Sequence, residues 1–118
     1  MALLAVVLTA YLVGRNVSGD PDTGSGLPAA STSELPAEVR TTLDLIEEDG
    51  PFPYERDGAT FENREGQLPE QPAGYYREYT VLVQGDGDRG PLRLVTGRGG
   101  EAYFTADHYD SFVRVVDP

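Results

Sequence analysis

The stretch YYREYTV, residues 75–81, is aromatic or β-branched at most of its positions and predicts a β-strand. Side chains of a strand alternate between the two faces of a sheet, so Tyr76, Glu78 and Thr80 are expected to share one face. A carboxylate in the middle of such a strand is unusual, because Thr or Ser suffices on a solvated strand face. Glu78 is therefore the first candidate functional residue.

Three segments of the chain are typical of strands, namely residues 75–83, 91–96 and 112–116. The short polar connection QGDGDR, residues 84–89, joins the first two and favours antiparallel pairing. No helical pattern follows them. We therefore expect a small antiparallel β-sheet in the second half of the chain.

One segment predicts a helix, LPAEVRTTLDLIEEDG at residues 35–50. Its apolar residues recur at intervals of four, four and three, which places them on a single stripe. The stripe consists of Leu35, Val39, Leu43 and Ile46. Pro36 suits the first turn and Gly50 suits the end of the helix. An early helix packed on a later sheet predicts an α+β fold.

The N-terminal third of the chain has a different character. Residues 1–15 contain the apolar run ALLAVVLTAYLV, which is shorter than the roughly 20 residues that a helix needs to span a bilayer. Its length suits a secretory signal, so we expect a secreted protein, with a membrane anchor as the alternative. Residues 16–33 are rich in Gly, Ser, Pro and Asp and predict a flexible linker. The folded domain is expected to span 34–118.

The composition excludes several kinds of site. The chain has no cysteine and a single histidine, so a thiolate nucleophile, a disulfide and a multi-histidine metal site are impossible. We expect neither a metal nor a cofactor. The net charge of −11 repels polyanions at long range and argues against general nucleic-acid binding, including binding of DNA.

His108, in ADHYDSF, is a candidate acid. Its ordinary pKa lies near neutrality, and the charges of Asp107 and Asp110 favour the protonated imidazolium. A carboxylate base and an imidazolium acid on either side of one phosphate can move a phosphoryl bond. Arg89 and Arg93 could supply fixed positive charge to the phosphate oxygens.

Structural alternatives exist for the same residues. Glu78 and Arg93 are expected on one sheet face, where they could form a solvated salt bridge worth less than about 1 kcal/mol. A lone histidine such as His108 is commonly a surface or packed residue. The residues alone leave both alternatives open.

The segment FENREG, residues 61–66, is a candidate binding loop. Asn63 tolerates the left-handed conformation that a tight loop needs. The carboxylate of Glu65 could accept the adjacent N1–H and N2–H donors of guanine together, and Phe61 or Tyr109 could pack on the base. The alternative is an ordinary polar loop.

Four separated blocks carry a family resemblance: DGPFPYERDGATFENREGQLP, GYYREYTV, RGPLRLV and YFTADHYDSF. Their order and spacing resemble those of the secreted microbial guanyl-specific ribonucleases, within the barnase group. The resemblance covers about residues 35–117. It implies the fold already expected, one N-terminal helix on a small antiparallel sheet.

The resemblance also implies catalytic roles. Glu78 matches the general base that takes the 2′-hydroxyl proton, and His108 matches the general acid that protonates the leaving 5′-oxygen. Arg89 and Arg93 match the phosphate-binding arginines, and Tyr109 matches a tyrosine that contacts the phosphate. Such enzymes use no metal or cofactor.

The resemblance further implies how guanine is bound. Glu65 matches the carboxylate that recognises the base, and Phe61 lies beneath its ring. The backbone amides across Glu62, Asn63 and Arg64 match those that bind the base oxygen. Cleavage of single-stranded RNA after guanosine, through a 2′,3′-cyclic phosphate that is then hydrolysed, is the expected reaction.

Partners follow from the same resemblance. A barstar-like inhibitor protein is expected at family level, contact with a membrane is expected only through an uncleaved N-terminal segment, and the protein is expected to be a monomer. The alternative function is a non-catalytic module that binds such a protein through the same cleft. A relative in this family has a disulfide between its chain ends; without cysteine, this domain is expected to depend on core packing.

Overall fold

The structure, a computed structural model, describes residues 26–83 and 89–118. The predicted signal-like or anchor segment, 1–15, lies outside these residues, as do 16–25 of the predicted linker. Within the described ranges, no helix has the length and apolar character needed to cross a membrane.

The described residues form one α-helix and a six-stranded sheet. A short 3₁₀ helix at Thr32–Glu34 lies between the first strand and the α-helix. The elements are α1 (Ala37–Glu48), β1 (Ala29–Ala30), β2 (Ala59–Phe61), β3 (Tyr76–Thr80), β4 (Arg93–Gly97), β5 (Ala102–Thr105) and β6 (Val113–Val115). The strands lie in the order β1-β6-β5-β4-β3-β2. The predicted α+β fold, with one helix on a sheet, is confirmed.

The sheet is mixed rather than wholly antiparallel. Strands β2 to β6 pair antiparallel, but β1 runs parallel to β6, with Ala29 opposite Arg114. Ala29 and Ala30 are fully buried, so the predicted linker 16–33 is wrong for these residues. The compositional pattern misled because two small residues give no apolar periodicity, while a sheet edge can accept them by backbone pairing alone.

Helix α1 follows its predicted stripe. Val39 and Leu43 are buried against the sheet and Ile46 packs at the margin of the same core. The helix ends at Glu48, two residues before the predicted Gly50, because Asp49 adopts the left-handed conformation with φ 64°. The amide of Gly50 then donates to the Leu45 carbonyl over 2.9 Å, which satisfies one of the free helix-end carbonyls.

The sheet separates two apolar clusters. The cluster under the helix includes Val39, Leu94 and Phe104, and the cluster on the opposite face includes Tyr76 and Val95. The opposite face also carries four of the five buried polar side chains among the described residues, the fifth being Thr42 on α1. The four are Glu78, Thr80, Arg93 and Thr105. Polar groups thus interrupt the apolar face opposite the helix, where each needs a hydrogen-bond partner because it is buried.

The register between β3 and β4 places the candidate residues. Thr80 lies opposite Arg93 and Glu78 lies opposite Val95, so Glu78 and Arg93 share a face as predicted. Tyr76, Glu78 and Thr80 are all buried, whereas Arg77 is exposed on the other face. The alternation predicted for this strand is confirmed.

Asp57 attaches the turn before β2 to strand β3. Its Oδ1 accepts the amide of Thr80 over 2.7 Å and its Oδ2 accepts the amide of Tyr54 over 3.1 Å. The amide of Gly58 donates to the Glu78 carbonyl over 2.8 Å. One carboxylate and one backbone bond therefore hold the turn over the strand that carries Glu78.

The C-terminal segment is tied to the start of the fold by polar contacts. The Asp117 carboxylate accepts the Thr32 amide over 2.7 Å and the Thr32 hydroxyl over 2.9 Å, and Arg40 Nη2 donates to the Asp117 carbonyl over 2.7 Å. Hydrogen bonds, in addition to the expected core packing, therefore hold the chain ends together in this domain without a disulfide.

Replacing Asp57 with Ala should lower the free energy of unfolding by about 2–4 kcal/mol, because the amides of Tyr54 and Thr80 lose a charged acceptor. Urea unfolding followed by circular dichroism measures the change. Asp44→Ala is the control, since Asp44 is exposed on α1 and its ion pair with Arg40 should contribute less than about 1 kcal/mol. Equal losses in both variants would contradict the role of Asp57.

Candidate active site

Glu78 lies on the sheet face opposite the helix and is only 8% exposed. The hydroxyl of Tyr109 donates to its Oε1. Arg56 Nη2 lies 4.0 Å from its Oε2. Each carboxylate oxygen therefore has a polar neighbour, and the two neighbours come from different loops. A buried carboxylate needs such partners because its desolvation is otherwise costly.

His108 and Tyr109 lie in the loop after β5, and both have positive φ, 55° and 75°. Thr105 stabilises this conformation, since its hydroxyl oxygen accepts the Tyr109 amide over 3.1 Å, and the His108 amide donates to the Pro91 carbonyl over 3.1 Å. The rings of His108 and Tyr109 are 4.7 Å apart between centroids. Because Tyr109 also reaches Glu78, the predicted base and acid belong to one site.

Asp107 holds this loop in place. Its carboxylate accepts the Thr105 hydroxyl over 2.8 Å and the Ser111 amide and hydroxyl over 2.9 and 2.6 Å. Burial raises the pKa of Asp107, but the hydrogen bonds from Ser111 and Thr105 outweigh burial and lower the pKa overall. These contacts direct Asp107 to the loop backbone, whereas the sequence had suggested a partner for His108.

The Tyr109 hydroxyl keeps its proton and therefore remains a hydrogen-bond donor. Burial, followed by its hydrogen bond to the Glu78 carboxylate, raises the pKa of Tyr109 to about 12. The phenol therefore stays protonated across the physiological range and can donate to an anionic oxygen.

The two predicted phosphate-binding arginines lie on the same sheet face. Arg93 is 3% exposed; its Nη1 donates to the carbonyls of Gly90 and Leu92 over 2.7 and 2.8 Å. Its Nε is buried and has no hydrogen-bond partner among the described residues. A buried guanidinium with a spare donor is suited to an anion.

Arg89 reaches the site from the end of the β3–β4 loop. Its Nε and Nη2 donate to the Thr80 hydroxyl over 3.1 and 2.9 Å, and its guanidinium lies 5.4 Å from the centroid of the Tyr54 ring. Thr80 is two residues from Glu78 on the same face. Positive charge therefore gathers beside Glu78 in a chain whose net charge is −11.

The candidate binding loop begins where β2 ends. Asn63 has φ 55°, as predicted, and its side-chain amide both donates to the Leu68 carbonyl over 3.0 Å and accepts the Leu68 amide over 3.1 Å. Glu65 is exposed in this loop. Exposed side chains of Glu62 and Arg64 lie 3.3 Å apart. Asn63 thus closes the loop and leaves charged side chains on its outer surface.

The loop is connected to the catalytic candidates through Tyr109. The rings of Phe61 and Tyr109 stack with centroids 5.4 Å apart, and Gln67 Nε2 donates to the Tyr109 carbonyl over 2.8 Å. The structure thereby brings all the predicted site residues to one face of the sheet and the loops at its edge. Sequence reasoning missed Arg56 and Gln67, since both lie in turns whose partners are set only by the fold.

The chain is similar in sequence to known ribonucleases. A family model described as ribonuclease matches residues 18–116. Guanyl-specific ribonuclease Sa3 of Kitasatospora aureofaciens is 56% identical over 84 residues, which cover 70% of this chain and 60% of Sa3. Guanyl-specific ribonuclease St of Saccharopolyspora erythraea is 51% identical over 88 residues, which cover 75% of this chain and 87% of St.

Solved structures match as well. The crystal structure of ribonuclease Sa2 with guanosine-2′-cyclophosphate has a TM-score of 0.73 and 46% identity, and the match covers 77% of this chain and 97% of Sa2. The chain spans less than two thirds of the length of Sa3. The region matched by the family model, 18–116, contains every candidate residue. On these grounds, the chain belongs to the microbial ribonuclease family.

Proposed function

We propose that this protein is a metal-independent endoribonuclease that cleaves single-stranded RNA after guanosine. The observation that carries the proposal is the contact chain from Glu78 through Tyr109 to His108, within reach of two arginines. The names of the relatives, guanyl-specific ribonucleases, and a ribonuclease Sa2 structure with guanosine-2′-cyclophosphate support it.

The first step is a transesterification. Glu78 accepts the proton of the ribose 2′-hydroxyl as that oxygen attacks phosphorus. The bond between phosphorus and the 5′-oxygen breaks, and His108 gives its proton to that leaving oxygen. The product is a 2′,3′-cyclic phosphate. In the second step water attacks phosphorus as His108 takes a proton from it. The bond between phosphorus and the 2′-oxygen breaks, and Glu78 returns its proton to that oxygen.

Charge on the phosphate is stabilised by groups that the fold holds in advance. The buried Nε of Arg93 supplies a free donor, and Arg89 can turn from the Thr80 hydroxyl to a phosphate oxygen. Tyr109, whose phenol stays protonated, can turn its hydroxyl from Glu78 to a phosphate oxygen as a neutral donor. Such preorganised donors stabilise a transition state more than water does.

Guanine binds at the loop that Asn63 closes. The Glu65 carboxylate accepts N1–H and N2–H of the base, while the backbone amides of Glu62, Asn63 and Arg64 bind its oxygen. Phe61, held in place by stacking on Tyr109, lies beneath the ring. Because Phe61 stacks on Tyr109, a base bound over Phe61 would lie next to the proposed catalytic groups.

The acidity of the chain shapes its choice of substrate. A net charge of −11 weakens the long-range attraction to long RNA, so binding depends on one guanine and one phosphate. DNA is not cleaved by this route because it lacks the 2′-hydroxyl nucleophile. We also propose that the protein is exported, on the basis of the apolar run in residues 1–15.

Digestion of a synthetic RNA containing one guanosine, in the presence of EDTA, tests the reaction as a whole. We expect a product ending in guanosine 2′,3′-cyclic phosphate, identified by mass spectrometry. Cleavage after other bases, or dependence on added divalent cations, would contradict the proposal.

Replacing Glu78 with Gln should reduce kcat for a guanosine-containing dinucleotide by about 100-fold or more, because the amide cannot accept the 2′-hydroxyl proton. The binding of guanosine 3′-monophosphate should survive, since Gln keeps the shape of the side chain. Steady-state kinetics and calorimetry measure the two effects. Undiminished kcat would show that another group is the base.

Replacing Glu65 with Ala should lower the ratio of kcat/KM for guanosine over adenosine substrates by about 100-fold, because the base loses a carboxylate that accepts two of its donors. Glu48→Ala is the control, since Glu48 is an exposed acid at the end of α1, on the helix side of the sheet. If both variants kept the guanine preference, base recognition would have to lie elsewhere.

A further inference from the structure

Arg56 lies beside the proposed base, although no sequence pattern predicted a role for it. Its Nη2 is 4.0 Å from Glu78 Oε2, while the Tyr109 hydroxyl donates to Oε1. We propose that Arg56 is a positioning residue, which orients the Glu78 carboxylate toward the ribose 2′-hydroxyl. This inference rests on the RNA cleavage proposed above.

The backbone around Arg56 is fixed to the strand that carries Glu78. The next residue, Asp57, accepts the Thr80 amide over 2.7 Å, and the amide of Gly58 donates to the Glu78 carbonyl over 2.8 Å. The strand register extends these contacts, because Ala59 lies opposite Glu78. The position of the Arg56 Cα relative to the carboxylate is therefore set by main-chain contacts, even though its side chain is 68% exposed.

Other charged and titratable groups surround Glu78. They are Arg93 on β4, Arg89 and Asp57 beside Thr80, and His108 and Tyr109 in the loop after β5. Arg93 donates its Nη1 to two backbone carbonyls, and the Asp57 carboxylate is occupied by two backbone amides. Among residues 26–83 and 89–118, Arg56 is the cation that lies within 4.0 Å of the Glu78 carboxylate.

Two sides of the strand thus supply cations for different purposes. Arg93, from the β4 side, keeps a buried Nε free for an anionic substrate. Arg56, from the β2 side, faces the carboxylate itself. Removing the guanidinium of Arg56 should let the Glu78 carboxylate turn away from the attacking hydroxyl, so kcat should fall. Binding of a guanine nucleotide should be unaffected.

The test compares Arg56→Gln with Arg56→Lys and with Arg98→Gln, which removes an equal charge from the exposed turn after β4. The constants kcat and KM are measured with a guanosine-containing dinucleotide. In Arg56→Gln we expect kcat to fall by about 3- to 10-fold, because the carboxylate loses an orienting contact, while KM changes little. The dissociation constant of guanosine 3′-monophosphate at pH 7 should change less than about twofold.

Arg56→Lys should recover much of kcat because it restores a cation beside the carboxylate, and Arg98→Gln should leave kcat unchanged. An unchanged kcat in Arg56→Gln, or an equal loss in Arg98→Gln, would overturn the role of Arg56. Weakened nucleotide binding with an unchanged kcat would place Arg56 on the substrate phosphate instead. Cleavage by the unaltered protein separates the two proposals, since an inactive parent overturns the proposed function and this inference together.

Discussion

The buried carboxylate of Glu78 is the constraint around which the site is organised. A charge removed from water on a sheet face must be compensated by nearby donors or cations, or folding is penalised. Here the Tyr109 hydroxyl and the Arg56 guanidinium provide that compensation from two loops that are distant in sequence. The need to satisfy one carboxylate therefore holds both loops on the same sheet face, and the proposed catalytic groups lie there with them.

The loop after β5 illustrates how the fold sustains an unfavourable backbone. His108 and Tyr109 both have positive φ, a conformation that non-glycine residues seldom adopt. Side chains of Thr105, Asp107 and Gln67 bond to the loop and hold it in that state. The strained backbone is the segment that carries the imidazole. Backbone strain in proteins is commonly found at functional sites.

Much of this arrangement could be predicted from the sequence. The helix periodicity, the alternation in β3 and the shared face of Glu78 and Arg93 follow from simple geometry. Strand β5, Ala102–Thr105, was not predicted because all four of its residues are buried, so it shows no alternation. The parallel strand Ala29–Ala30 and the contact of Arg56 with Glu78 depend on partners far along the chain, which local patterns cannot supply.

The polar clasp between Asp117 and the Thr32 segment has a chemical consequence of its own. It joins the two ends of the domain through hydrogen bonds, with an extra bond from Arg40, and involves no thiol. Its formation is indifferent to the redox potential of the surroundings. The domain can consequently close in a reducing cytosol as readily as in an oxidising exterior, and reductants such as dithiothreitol leave the closure intact.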